Sequence, residues 1–443
     1  MKANSIVIPQ INTVEVASGL GTEDKSIEAV IEDAVQEMPE IVCNDPDALE
    51  VKHYAKAIKM NCVYPLAVIS GKLRVYQAGY WKHFTSLGLL RYFVKACIEK
   101  CRGSEPDLLK QLVDKVIDEL HELYFFDSSL DTDTRINLED SVLRISNGQF
   151  EQVEQDQQYG FLYKLPYSYD KDINTDFIRN IFLGAIEEPE AVDALFEHLG
   201  SAFIPRNMIK NEEILLFLGE GSNGKSVLLD LIKATLGSDN VSTMELQDFN
   251  HDSKIQTVIG KLLNIGSELD PKKVDPARLK KLASSESMVI DVKYAAAMTI
   301  DKLPKMIFAA NKLPVSDSDT SHGYFRRFKI IPFNRRFDPT QTELNFMEKM
   351  LEHRAAVMKL IIEGAERLLT NGGFTASAKM TAAHQLFEST VDSVRGFVSD
   401  CSVEIPALDA PKKFTKAIEL FALYEVYCMN EGVDSKGKRE FTA

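Results

Sequence analysis

The sequence predicts an α/β protein: a central parallel sheet, a mostly α-helical (α+β) region before it and a helical segment after it. Three observations carry this expectation. ILLFL at 214–218 is a short, wholly apolar run, as a strand buried on both faces requires. GEGSNGKS follows at once, and then Val227, Leu228, Leu231, Ile232 and Leu236 recur at helical spacing until Gly237 supplies a stop. Two further apolar runs, in KLLNIGSELD at 261–270 and MIFAAN at 306–311, end in polar residues and read as neighbouring strands.

The elements follow in order. Residues 1–45 are polar and acidic and predict a flexible segment with at most one short helix. Residues 46–205 read as an N-terminal α+β collar domain. Within it LAVISGKLRVYQAGYWKHF alternates apolar and polar residues around Gly71 and Gly79, the pattern of strands joined by tight turns. LGLLRYFVKACIEKC is an amphipathic helix, and a second spans 106–123. RINLEDSVLRISNGQFEQV reads as short strands with a turn at Asn147 and Gly148, and 175–202 as a helical block. Residues 206–340 hold the sheet, and 341–443 are largely helical.

Composition narrows the function classes. Hydrophobic residues make up 45% of the 443 and charged residues 26%, the balance of an ordinary globular chain. No apolar run approaches a membrane span and no signal peptide is evident, so the expectation is a cytoplasmic protein without membrane partners, or a nuclear one where the host has a nucleus. The six cysteines lack metal-finger spacing; Cys97 and Cys101, one helical turn apart, read as structural thiols. A net charge of −15 excludes a surface coated for nucleic acid while leaving room for a localised basic element.

Residues 219–226 match G-x-x-x-x-G-K-[ST] at every fixed position, between a strand and a helix. In that geometry Gly219, Gly221, Ser222, Asn223, Gly224 and Val227 shape a loop whose N–H groups face one anion. Lys225 reaches the β- and γ-phosphates of ATP, and Ser226 ligates Mg²⁺. The competing reading is a solvated Gly/Ser turn with an unrelated lysine. Hydrolysis needs an acid near the Mg²⁺ shell. Glu268, at the end of the second apolar run, is the first candidate for catalysis and metal contact, and Asp270 the second. Asn311, at a third strand tip, is suited to bond both the γ-phosphate and the lytic water. In GYFRRFKIIPFNRRF, the paired Arg326 and Arg327 precede a strand; a permanently charged fork there suits a transferring phosphate, and salt bridging is the plainer alternative.

The succession of the glycine loop, LLNIGSEL, a lysine-containing segment, FAANKLP and FRRFKIIPF resembles the superfamily 3 helicases, an AAA+-related group, and most of all the C-terminal half of phage, plasmid and poxvirus primase-helicases. The resemblance is dense over 212–337 and weaker upstream. It implies an AAA+-like P-loop ATPase core, Asn311 as sensor, and Arg327 (with Arg326 second) as an arginine finger supplied by the neighbouring subunit of a homo-oligomeric ring, expected to be hexameric. It also implies a hairpin within PARLKKLASSESMVIDVKYAAAMTIDKLPK whose Lys293 and Tyr294 grip one DNA strand in the central channel. Whether Lys280 and Lys281 face the channel or pair with acids stays open. Relatives carry Gly-Asp where this chain has Ser284, Ser285, Glu286 and Ser287.

The function implied is an ATP-dependent replicative DNA helicase of a phage, plasmid, virus or mobile element, acting on forked duplexes with a separate primase or origin-binding partner. The rivals are an ATP-switched AAA+ scaffold that recruits replication proteins without unwinding, and a small-molecule kinase. No primase module is expected at the N-terminus: Asp127, Asp131 and Asp133 read as an acidic surface loop. AIELFALYEVYCMNEG resembles the opening helix of a winged-helix domain whose remainder is not in the sequence.

Overall fold

The computed structural model describes residues 7–10, 23–42, 49–102, 110–123, 133–146, 149–209, 212–267, 276–284, 286–291, 298–300, 302–312, 322–338, 345–391, 393–401, 416–431 and 435–441. The chain forms two compact units, residues 1–169 with 296–301, and residues 170–295 with 302–443.

The first unit is α+β. Helices Ile27–Gln36 (α1) and Val51–Asn61 (α2) precede strands Leu66–Ile69 (β1), Lys72–Gln77 (β2) and Tyr80–His83 (β3), which form an antiparallel sheet in that order. Both of its connections are two-residue turns with positive φ throughout, Ser70-Gly71 and Ala78-Gly79, the geometry that lets twisted strands return directly. Helices Leu87–Arg102 (α3) and Lys110–Leu123 (α4) follow, then a second antiparallel sheet of Thr134–Asn137 (β4), Val142–Ser146 (β5) and Gln149–Val153 (β6). Within the segment expected to be flexible, α1 buries Ile27, Val30, Ile31 and Ala34 in the same core as α2, α3 and α4. Its apolar residues recur every three to four positions amid acids, so one stripe packs while the charges stay outside. Cys97 and Cys101 lie fully inside that core, where burial pushes the Cys101 thiol up to about 12 and that of Cys97 well above its ordinary value. Asp133 is an ion-pair node, 3.0 Å from Arg135 and 2.8 Å from Arg144; Asp127, Asp131 and the turn at Asn147 and Gly148 lie outside the described residues.

The second unit is a mixed α/β body around a five-stranded parallel sheet. Helices Asp176–Ile186 (α5) and Pro189–Gly200 (α6) lead to Ile214–Leu218 (β7), Lys225–Leu236 (α7), Val241–Ser242 (β8) and Leu263–Gly266 (β9). Pro276–Ser284 (α8), Met288–Ile290 (β10), Lys305–Ala310 (β12) and Phe328–Pro332 (β13) come next, while the intervening strand Met298–Ile300 (β11) groups with the first unit. The sheet runs β13-β7-β12-β9-β8 with every pairing parallel. Ile214 to Phe217 are at most 1% exposed, which accounts for the unbroken apolar run: β7 has neighbours on both edges and cover on both faces.

Helices Phe346–Glu352 (α9), Arg354–Asn371 (α10), Ala378–Val391 (α11), Ser393–Asp400 (α12) and Ala417–Glu431 (α13) complete it. α10 crosses α6 where Gly364 faces the Phe196 carbonyl and Gly200 faces Ala365, so closely that a methyl group on either glycine would stand under 2.5 Å from backbone. Phe387 of α11 meets Phe325 and Phe328 edge-on and closes the β13 side. Strands β10 and β11 form within the segment expected to hold the hairpin, while Lys293 and Tyr294 fall outside the described residues, as do Glu268, Asp270 and Ser285. In α8, Leu279 and Leu282 turn inward and Lys280 and Lys281 are exposed. No helix among the described residues is long and apolar enough to cross a membrane.

Candidate nucleotide site

The glycine loop leaves β7 at its C-terminal end and enters α7 through Gly224, whose φ of +85° suits a residue without a side chain. Its first glycine is demanded by space. A Cβ on Gly219 would lie 2.4 Å from the Phe333 carbonyl oxygen and 2.5 Å from Asn223 Nδ2. Gly221, by contrast, faces open space.

The segment trailing β13 holds the loop in place. Asn223 Nδ2 donates to the Phe333 carbonyl at 3.2 Å, and the Phe337 N–H donates to the Ser222 carbonyl at 2.8 Å. Arg336 pairs with Glu220. Lys225 turns its ammonium inward: Nζ donates to the Gly219 carbonyl, to the Glu220 carbonyl at 3.3 Å and to Asn223 Oδ1 at 3.1 Å. Burial holds the pKa of this lysine below its ordinary value. A cation held by neutral carbonyl dipoles at a helix N-terminus has much to gain from an anion.

A cavity of about 480 Å³ opens beside the loop, at the C-terminal ends of the strands. Residues 221–227 line it together with Asn311 from beyond β12 and Ser267 from beyond β9. Loop and two neighbouring strand tips, some ninety residues apart in sequence, therefore share one space. Ser267 immediately precedes Glu268, which lies outside the described residues. Arg326 and Arg327 lie in the turn just before β13 and differ in exposure. Arg326 is exposed and sits 3.4 Å from Glu212, whereas Arg327 is only 8% exposed and its carbonyl accepts the Ile214 N–H at 2.6 Å. The expectation puts Arg327 first, and the fold leaves Arg326 as the outward one of the pair.

Three further polar residues face the cavity without a motif to announce them: Asp230, Thr243 and Glu245. Asp230 had a readable signal, standing one helical turn after Ser226 on α7. Glu245 had none, because its place depends on Asn264. That buried amide in β9 donates to the Met244 carbonyl at 2.9 Å and accepts the Met244 N–H at 2.9 Å, clamping the chain just before Glu245 against β9. Glu245 then accepts from the Ser267 N–H at 3.2 Å and hydroxyl at 2.7 Å.

Among known proteins, the model of DUF5906, a family of unknown function, matches residues 217–327. Two apo structures of the NrS-1 C-terminal region are similar at 14% identity. One, the A form, covers 82% of this chain and 83% of its own with a TM-score of 0.43. The other covers 82% of each with a TM-score of 0.44.

Proposed function

We propose that this chain is an ATP-hydrolysing replicative DNA helicase of the superfamily 3, AAA+-related type, working as a ring of identical subunits. One observation carries the reading: the glycine loop, Asn311 and the residue before Glu268 line a single cavity at the carboxyl edge of a parallel sheet, where open α/β sheets bind ligands. The donor set fits a triphosphate with magnesium. Loop N–H groups and Lys225 take the β- and γ-phosphates, and Ser226 and Glu268 hold the ion, which when bound offsets charge on the transferring phosphate. Glu268 orients the attacking water, and Asn311 bonds the γ-phosphate. Arg327 of the adjacent subunit, with Arg326 as second choice, completes the site. Lys293 and Tyr294 engage a single DNA strand, the lysine by charge and the tyrosine by stacking. A net charge of −15 is compatible with this, since a ring concentrates one lysine per subunit in its channel. Residues 46–205 serve as a collar that holds the ring or recruits a primase or origin-binding protein.

Two substitutions test the reading. Lys225→Ala abolishes ATP hydrolysis. Lys293→Ala retains hydrolysis and loses strand displacement on a forked duplex. Wild-type chain that hydrolyses ATP, displaces no strand and is indifferent to Lys293→Ala is a scaffold instead. Particle images with ATP and forked DNA give the subunit number and the path of the strand.

A further inference from the structure

With phosphates placed in the cavity beside the loop, its lining constrains the side on which the rest of a nucleotide would emerge. Apart from the loop and its helix, the lining comes from the β8, β9 and β12 tips, all on one side of β7. A chain of phosphates laid along the loop with its terminal group toward Asn311 and Ser267 leads its nucleoside the other way, toward β13. There the segment trailing β13 crosses the loop and presents Phe337. Its ring carbons Cε2 and Cδ2 lie 3.3 Å and 3.8 Å from where a Gly224 side chain would begin, with the Ala185 methyl at 3.9 Å from the same point. The Arg335 guanidinium lies over one face of the ring, 5.1 Å from its centroid, and donates to the Gly184 carbonyl at 3.1 Å, so a base would stack on the other face. Even so, Phe337 remains 37% exposed, and Val227, three residues along from Gly224 and in the cavity wall, 38%. An ordered, exposed aromatic ring and an exposed valine flank the very turn that would receive the phosphates.

We infer that Phe337 is the nucleoside platform of this site: the base of the bound nucleotide stacks on its ring, with Val227 against the sugar side. The inference rests on the nucleotide reading and adds a substrate preference. Stacking on a ring reads the area of a base rather than its edge, so purine nucleotides bind more tightly than pyrimidine ones.

Calorimetric titration of the full chain with Mg–ATP, Mg–CTP and inorganic Mg–tripolyphosphate tests it. Phe337→Ala weakens ATP roughly tenfold, the lower part of the range for losing one base–aromatic stack. The same variant leaves tripolyphosphate affinity unchanged, because the Phe337 contact to the Ser222 carbonyl is made by backbone. Phe337→Trp keeps ATP affinity at or above wild type, and wild type prefers ATP to CTP. Unchanged ATP affinity in Phe337→Ala overturns the inference, as does an equal loss of ATP and tripolyphosphate, which would make Phe337 a support for the loop. Wild-type chain that binds neither ligand sinks the phosphate-loop reading itself, and the platform with it.

Discussion

The Glu245 carboxylate accepts two hydrogen bonds from Ser267, one from the hydroxyl at 2.7 Å and one from the backbone at 3.2 Å. The tie spans two strands of the sheet and ends one residue before Glu268. Replacing Glu245 with alanine removes the acceptor and loosens the tip that carries the proposed water-orienting group. Charge-assisted bonds of this kind contribute about 1.5–3 kcal/mol. The expected result is a kcat for ATP hydrolysis lowered about tenfold with KM little changed, since the phosphates are held by the loop. Glu245→Gln, which keeps one acceptor, restores most of the rate. Steady-state kinetics on the three proteins suffice, and a full rate in the alanine variant disproves the coupling.

The glycines of the loop are not equivalent. Gly219→Ala drives a methyl into the Phe333 carbonyl and the Asn223 amide, at 2.4 Å and 2.5 Å. Overpacking of that sort costs about 1–3 kcal/mol and displaces the segment that braces the loop. Gly221→Ala meets nothing within 4 Å. Nucleotide affinity measured by titration falls at least tenfold in the first variant and stays within a few fold of wild type in the second.

If Arg327 acts on the neighbouring subunit's nucleotide, Lys225→Ala and Arg327→Ala chains are each inactive alone, and mixing them restores part of the hydrolysis. Restoration comes from interfaces that pair an intact lysine with an intact arginine. Arg326→Ala run in parallel shows which of the two is needed, because its pairing with Glu212 is exposed and contributes little to stability. Mixtures no more active than their components rule out a shared site.

His198 predicts how stability varies with pH. It is 1% exposed, its ring nitrogen stands 3.3 Å from the Met306 carbonyl, and burial, aided by Lys305, lowers its pKa to about 3 from 6.5. The unfolded chain takes up this proton as pH falls through 6.5, and the folded chain does not until about 3. Unfolding is therefore favoured progressively on acidification across that window, by up to about 1.4 kcal/mol per pH unit for one proton. Urea unfolding at pH 7, 6, 5 and 4 should show a shallower decline for His198→Gln than for wild type. Parallel declines would assign the acid sensitivity to other groups.

What the sequence determined by itself is local. The strand, glycine loop and helix at 214–237 are legible because hydrophobic period, backbone freedom and a helix stop are properties of consecutive residues. The same holds for the two-residue turns at Gly71 and Gly79. The tertiary structure decided everything that joins distant segments. Strand order β13-β7-β12-β9-β8 follows from how helices cover the sheet, which no window of sequence contains. Phe337 braces a loop more than a hundred residues upstream, through backbone groups that any residue type could supply. Glu245 enters the cavity only because Asn264 clamps the preceding peptide to the next strand. Pattern reports which face a residue turns to; only packing brings two faces together.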